Sequence, residues 1–355
     1  MQQTCKSWIK KNLFSAITII FSIGTLAFFM CTESGIKNLR YVLFHLQPIW
    51  LLWIVVGVLV GWLLEGYIIH LFCRHLKKGW TFGQSFYVGM IGLFYSAITP
   101  FCMCEPMEIY YLTKMEMDAG TASSIVAVKS LVHHAVEFFF SLILISFELS
   151  YFQTRVNNFA FITVFGLISN SIFIAFVVIC MINEKLTNSL LQTCVRFFEK
   201  IKMHKLSKRL SNRVHDELLL FHNGSKKIGK SYPLYFSAIF LTLAQITVAS
   251  LISYFVYRSF SLKGESVFTM VAGDTFVMMV STFIPLPGSS GGAEGGFYLF
   301  FHAFFGTAII PAITLWRIST YHVNIIFGGM IAYFGRKKYT WEHKGSKVET
   351  KNSRD

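Results

Sequence analysis

Residues 287–296 read PGSSGGAEGG, and six of the ten are Gly or Pro. They sit inside apolar sequence, because the uncharged runs 275–293 and 295–316 are separated by Glu294 alone. A helix does not continue through breakers this dense. Irregular backbone at membrane depth is tolerated only where protein buries it or it lines a wet surface. The stretch therefore reads as the tip of a re-entrant helical hairpin.

Working outward, further uncharged runs cover 13–30, 49–64, 81–104, 159–183, 231–257 and 318–335, and a run at 119–147 is interrupted by Lys129, His133, His134 and Glu137. About 20 apolar residues cross a hydrocarbon core of roughly 30 Å. Only 14% of the chain is charged and 54% is hydrophobic, against about 25% charged for a soluble domain. The fold class is an all-α polytopic membrane protein with no soluble catalytic domain. The net charge of +14 does not indicate nucleic acid. Eleven of the 32 Lys and Arg lie between Lys185 and Lys230, and seven between Arg336 and Arg354. Basic clusters beside spans mark the cytoplasmic side. Lys6, Lys10 and Lys11 precede the first run without a small-x-small cleavage site, so that run reads as an uncleaved span. The expected location is a bacterial inner membrane, with both termini cytoplasmic. The seven Cys show no disulfide-framework spacing.

Counting crossings between basic clusters gives the wrong parity unless two segments re-enter. The first is 82–118, broken at Thr99-Pro100, and the second is 266–312, broken at Pro285, Pro287 and Gly288. The organisation is then a first membrane half, 1–182, with spans 13–30, 49–72, 119–147 and 159–182. A basic segment, 183–230, follows, with amphipathic helices on the membrane interface or a solvated linker helix as its two readings. The second half, 231–335, has spans 231–257 and 313–335, and a basic tail covers 336–355. That makes about six spans plus two hairpins. SAITPFCMCEPMEIYYL with AGTASSIVAVKSLVHHAVEFFF parallels STFIPLPGSSGGAEGGFYLFF with FGTAIIPAITLWRISTYHVNIIF. Each has a Pro break, a Glu, a Tyr-bearing helix and one basic residue in the next span. Glu105 or Glu108 would match Glu294, and Lys129 would match Arg317. Entered from opposite sides, the hairpins form an inverted repeat, as in many secondary transporters.

Ionisable residues inside spans are costly and so carry the functional signal. Lys129, His133 and Glu137 share one helix face with His134 at its edge. They line a pathway, or Lys129 and Glu137 neutralise each other. Arg317 stands after 22 uncharged residues. It bridges to Glu294, or it binds a lipid phosphate, which a guanidinium matches bidentately. Amides of Gly291, Gly292 and Gly295 at a helix start expected at Gly295 would suit the same anion. A tight packing turn is the alternative.

Pro285, Pro287, Gly288, Gly291, Gly292, Glu294 and Arg317 resemble the second-half motif of the transmembrane region shared by lysylphosphatidylglycerol synthases and their stand-alone flippase-like relatives. Thr99-Pro100, Glu105-Pro106-Met107-Glu108 and Tyr110-Tyr111 resemble the first-half motif of one subgroup, which has Gln at the positions of Glu105 and Glu108 and a glycine pair at Met103 and Cys104. The resemblance spans about residues 10–335. It implies movement of phospholipid between leaflets, in some members an aminoacylated phosphatidylglycerol. With about 20 residues after Gly335, it does not imply synthesis by this chain. On this reading Arg317, Lys129 and the glycine amides hold phosphate. Glu105, Glu108, Glu294 and Glu137 meet an ammonium headgroup or a proton, and His133, His134, Tyr110 and Tyr111 line the path. No catalytic residue, metal or cofactor is expected. Phospholipid is the expected ligand, with a homo-oligomer or a separate synthase or glycosyltransferase as protein partner.

Two other chemistries fit short motifs. Gly288-Ser289-Ser290-Gly291 matches a serine-protease elbow, with His302 or His322 as base. Cys102-Met103-Cys104 with Glu105 could ligate a soft metal.

Overall fold

The computed structural model describes residues 46–99, 104–156, 159–189, 193, 214–229, 231–281, 284 and 286–339. Among the described residues every regular element is helical. Helices α1 (Pro48–Leu76), α4 (Ala119–Gln153), α5 (Phe159–Ile182) and α7 (Tyr232–Ser259) are long and apolar enough to cross a bilayer. So is Pro287–Gly335, taken as one run through its internal turns. The protein is an all-α, multi-pass membrane protein. The span expected at 13–30 and most of the basic tail lie outside the described residues.

Four shorter helices form two hairpins: α2 (Phe82–Ile98) with α3 (Cys104–Lys114), and α8 (Val267–Ser281) with α9 (Gly292–Phe305). At 1.5 Å per residue the longest, α2, measures about 25 Å, short of a hydrocarbon core of about 30 Å. Their ends have local causes. Thr81 N–H donates to Gln84 Oε1 at 2.9 Å and opens α2. Thr99 precedes a proline, which disfavours the helical region, and it is extended at φ −115° and ψ 147°. Gly288 and Gly291 take φ of +56° and +86°, values that glycine reaches without strain.

The second half ends in α10 (Ile309–Arg317), a π turn (Ile318–His322) and α11 (Val323–Tyr339). Helices α1 and α7 pack antiparallel. Gln47 N–H meets Ser259 O at 2.9 Å at one end. Trp50 stacks on Phe255, Gly57 faces Ile252, and Gln245 bonds Glu65 further along. Each half thus presents a long helix, a hairpin and a following helix, and the leading helices α1 and α7 run in opposite directions. Each hairpin has its own core. The first packs Tyr87, Ile91 and Leu112 against Ile125 and Val128 of α4. The second packs Phe276, Phe297 and Phe301 against Leu144 and Phe152 of the same helix.

Within the segment 183–230, the described part packs one face on the spans. Helix α6 (Val214–Gly229) lies on protein, with His222 and Ile228 buried. Gly224 allows this, because a Cβ there would stand 2.2 Å from Ser124 Oγ of α4. Residues 190–192 and 194–213 lie outside the described residues.

Candidate functional site

Two glycines three residues apart on α2 shape the first site. A Cβ on Gly89 would lie 3.1 Å from Glu65 Cγ of α1, and one on Gly92 would lie 2.6 Å from Glu108 Oε1 of α3. Both carboxylates are therefore seated directly on the α2 backbone. Lys129 of α4 reaches between them, with Nζ 2.6 Å from Glu65 Oε1 and 2.6 Å from Glu108 Oε1. Gln245 Nε2 of α7 donates to Glu65 Oε2 at 2.7 Å. The Glu108 side chain is 2% exposed, and its Oε2 has no hydrogen-bond partner among the described residues. Beside it, Glu105 accepts from Ser130 Oγ at 3.3 Å and from Cys104 Sγ at 3.0 Å.

The second site is built by α9, α10 and the turn before α9. Arg317 Nε donates to Glu294 Oε1 at 2.7 Å, and Arg317 Nη2 to Gly288 O at 3.0 Å. The side chains of Arg317 and Glu294 are 5% and 2% exposed. Glu294 Oε2 accepts from Gly291 N–H at 2.6 Å, which caps α9. Both carboxylate oxygens are thus bonded. The π turn places the Tyr321 ring 4.7 Å from the Arg317 guanidinium and against Gly288. A π turn inside an α-helix is often found at functional sites.

The sites are repeats of one device. In each, a Glu on the second limb of a hairpin meets a cation in the helix that follows, Glu108 with Lys129 and Glu294 with Arg317. They also adjoin. Tyr321 Oη donates to Ala97 O near the end of α2 at 3.0 Å. Ala97 lies five residues beyond Gly92, about 7.5 Å along the helix. One hairpin end therefore lies against the tip of the other.

Several expectations change. Lys129 pairs with Glu65 and Glu108 rather than with Glu137, whose Oε2 instead lies 3.2 Å from His134 Nδ1. Lys129 and Glu137 are eight positions apart on one helix, a rise of about 12 Å, which is too far for a direct pair. The Arg317–Glu294 bridge forms. The amides expected to face an external anion are engaged within the protein, Gly291 N–H by Glu294 and Gly295 N–H by Gly291 O at 2.9 Å. Helix α9 starts at Gly292 rather than Gly295. Gly292 is a packing position, since a Cβ there would sit 2.2 Å from Ile284. Tyr110 is half exposed and lies against Lys114, while Tyr111 packs on Tyr87. His133 and His134 lie edge to face one turn beyond Lys129. Ser290 Oγ bonds Pro287 O, and His322 Nδ1 contacts the Arg317 carbonyl at 3.1 Å. His302 lies against Tyr298 with the rings tilted. Cys102 and Met103 lie outside the described residues, as does Pro285. Cys104 Sγ is turned to Glu105.

Glu65, Gln245 and Asp274 were not picked out from the sequence. Asp274 is buried on α8 and accepts from Ser253 Oγ of α7.

Two comparisons bear on this arrangement. The family model for the lysylphosphatidylglycerol synthase TM region matches residues 15–328. A UPF0104 membrane protein of Archaeoglobus fulgidus is 27% identical over 309 residues, covering 79% of this chain and 85% of that protein.

Proposed function

The chain belongs to the lysylphosphatidylglycerol synthase TM-region family, and on that premise we propose that it binds phospholipid headgroups where its two hairpins meet and moves lipid between leaflets. The observation that carries this reading is the pair of buried Glu–cation sites, one per half, on adjoining hairpins. A headgroup crossing oil needs polar partners at depth, because each unsatisfied polar group there costs several kcal/mol. Arg317 is suited to phosphate. Its fork geometry matches phosphate oxygens, and a headgroup phosphate would compete with Glu294 for Nε. The Glu294 carboxylate released by such an exchange, and Glu105 and Glu108 at the adjoining site, suit a headgroup amine, as in lysylphosphatidylglycerol. The antiparallel packing of α1 on α7 supports alternating access, since inverted halves can exchange roles about one site. The basic segments beside the spans support a cytoplasmic position for both termini.

The test is a leaflet-resolved assay in proteoliposomes with fluorescent phosphatidylglycerol and its lysyl ester. Inner-leaflet label should become accessible to a membrane-impermeant quencher only with the protein, and Arg317→Ala should slow this severalfold. Folded protein that moves no phospholipid tried would overturn translocation. Lipid retained on purification but not moved would favour a subunit accessory to a lysyltransferase or another lipid-modifying enzyme.

A further inference from the structure

The repeated sites differ by one charge. Arg317 faces one carboxylate, and both of its oxygens are bonded. Lys129 faces two, Glu65 and Glu108, so this cluster carries one negative charge in excess when every group is ionised. Both Glu65 oxygens have donors, Lys129 on one and Gln245 on the other. Glu108 Oε2 has none among the described residues and is buried. An ionised carboxylate oxygen without a partner in low dielectric is far more costly to bury than a neutral hydroxyl.

From this mismatch we propose that the Glu65–Lys129–Glu108 cluster is a proton-binding site, with one exchangeable proton held by the carboxyl pair. The packing selects a proton over a hydrated metal ion. Glu108 Oε1 already lies within 2.6 Å of the place where a Cβ on Gly92 would stand, and a proton adds no volume. Among the described residues, the groups around Glu108 do not supply the missing charge. From α1 come Glu65 and the buried Cys73. From its own helix come Cys104 and Glu105, the first bonded to the second. From α4 come Lys129, Ser130 and His133, with Ser130 turned to Glu105. From α7 comes the neutral Gln245, whose Oε1 is also buried and has no partner among the described residues. From α2 come Gly92 and, one turn on, Tyr95 beside Tyr111.

The consequence for transport rests on the lipid-translocation reading, but proton binding does not. If lipid moves, arrival of a headgroup amine at this cluster releases the proton, and movement responds to a pH gradient.

Infrared difference spectroscopy of purified protein in nanodiscs, titrated through pH with isotope-labelled glutamate, reads the site without any transport. A carbonyl stretch of a protonated glutamate should fade as pH rises and shift with the label. Glu108→Gln and Glu65→Gln should each remove it and lower proton release by about one per protein, the count that one site binds. A wild-type protein with no titrating glutamate carbonyl would overturn the proposal, as would a band that both folded variants retain. In proteoliposomes, a pH gradient should change the lipid-transfer rate severalfold in wild type and not in Glu108→Gln. A titrating band with no lipid movement would leave the proton site standing while translocation fails.

Discussion

Replacing Arg317 by Met tests whether the second site is one coupled unit. The change leaves Glu294, 2% exposed, with only the Gly291 amide as partner. Removing one member of a buried pair costs about 3–5 kcal/mol, mostly from the charge left behind. Losing the donor to the Gly288 carbonyl adds roughly 1–3 kcal/mol. Glu294→Gln alone strands the guanidinium and should cost about 3–5 kcal/mol. In Arg317→Met with Glu294→Gln no charge is stranded, and the amide oxygen can still cap Gly291. The double variant should then lose only the Gly288 bond, roughly 1–3 kcal/mol. Reversible unfolding in mixed micelles, followed by far-ultraviolet circular dichroism over a detergent series, measures all three. The two single losses should exceed the double loss by several kcal/mol. A double variant that loses the sum of the singles within about 0.5 kcal/mol would behave as two independent sites do, and the coupled pair would be refuted.

Other outcomes follow from the close contacts. Gly92→Ala should displace Glu108 from Lys129 and cost about 1–3 kcal/mol as overpacking, whereas Gly61→Ala, which meets nothing within 4 Å, should be neutral; the same unfolding assay compares them. Gly288→Ala should fail to give monodisperse protein on size exclusion, because its Cβ would stand 1.9 Å from a Tyr321 ring carbon at φ +56°. Tyr321→Phe deletes only the bond to Ala97 O and should cost about 1 kcal/mol, with hydrogen exchange rising locally at the end of α2. Ser253→Ala should cost roughly 1–3 kcal/mol, since the Asp274 carboxyl loses a partner in the core, and unchanged stability would remove Asp274 from the structural network.

The long helices were legible because hydropathy alone locates runs that must lie in oil. The hairpins were legible because Pro and Gly at Thr99-Pro100 and 285–288 cannot be helical interior. The repeat was legible in order but not in register. Glu105 and Glu108 are three residues apart, and only the start of α3 at Cys104 with the reach of Lys129 decides that Glu108 matches Glu294. Glu65 and Asp274 were hidden by the same reasoning that found the spans, since each acid served as the end of an apolar run, 49–64 and 275–293. The glycine amides misled for another reason. A sequence shows that amides before a helix need an acceptor, but not that Glu294, three residues on, supplies it from within.

The π turn after Arg317 sets the phase of everything beyond it. One residue of an α-helix advances the side chains by about 100°, so deleting a residue from 318–322 would leave Arg317 in place and swing α11 around its axis. Asn324 would leave the Trp62 indole, to which it is bonded at 2.7 Å. Gly328 and Gly335, which let α11 lie against Phe94 and Tyr87 of the first hairpin, would be exchanged for bulkier neighbours. The extra residue in that turn is therefore what indexes the last helix to a hairpin more than two hundred positions earlier in the chain.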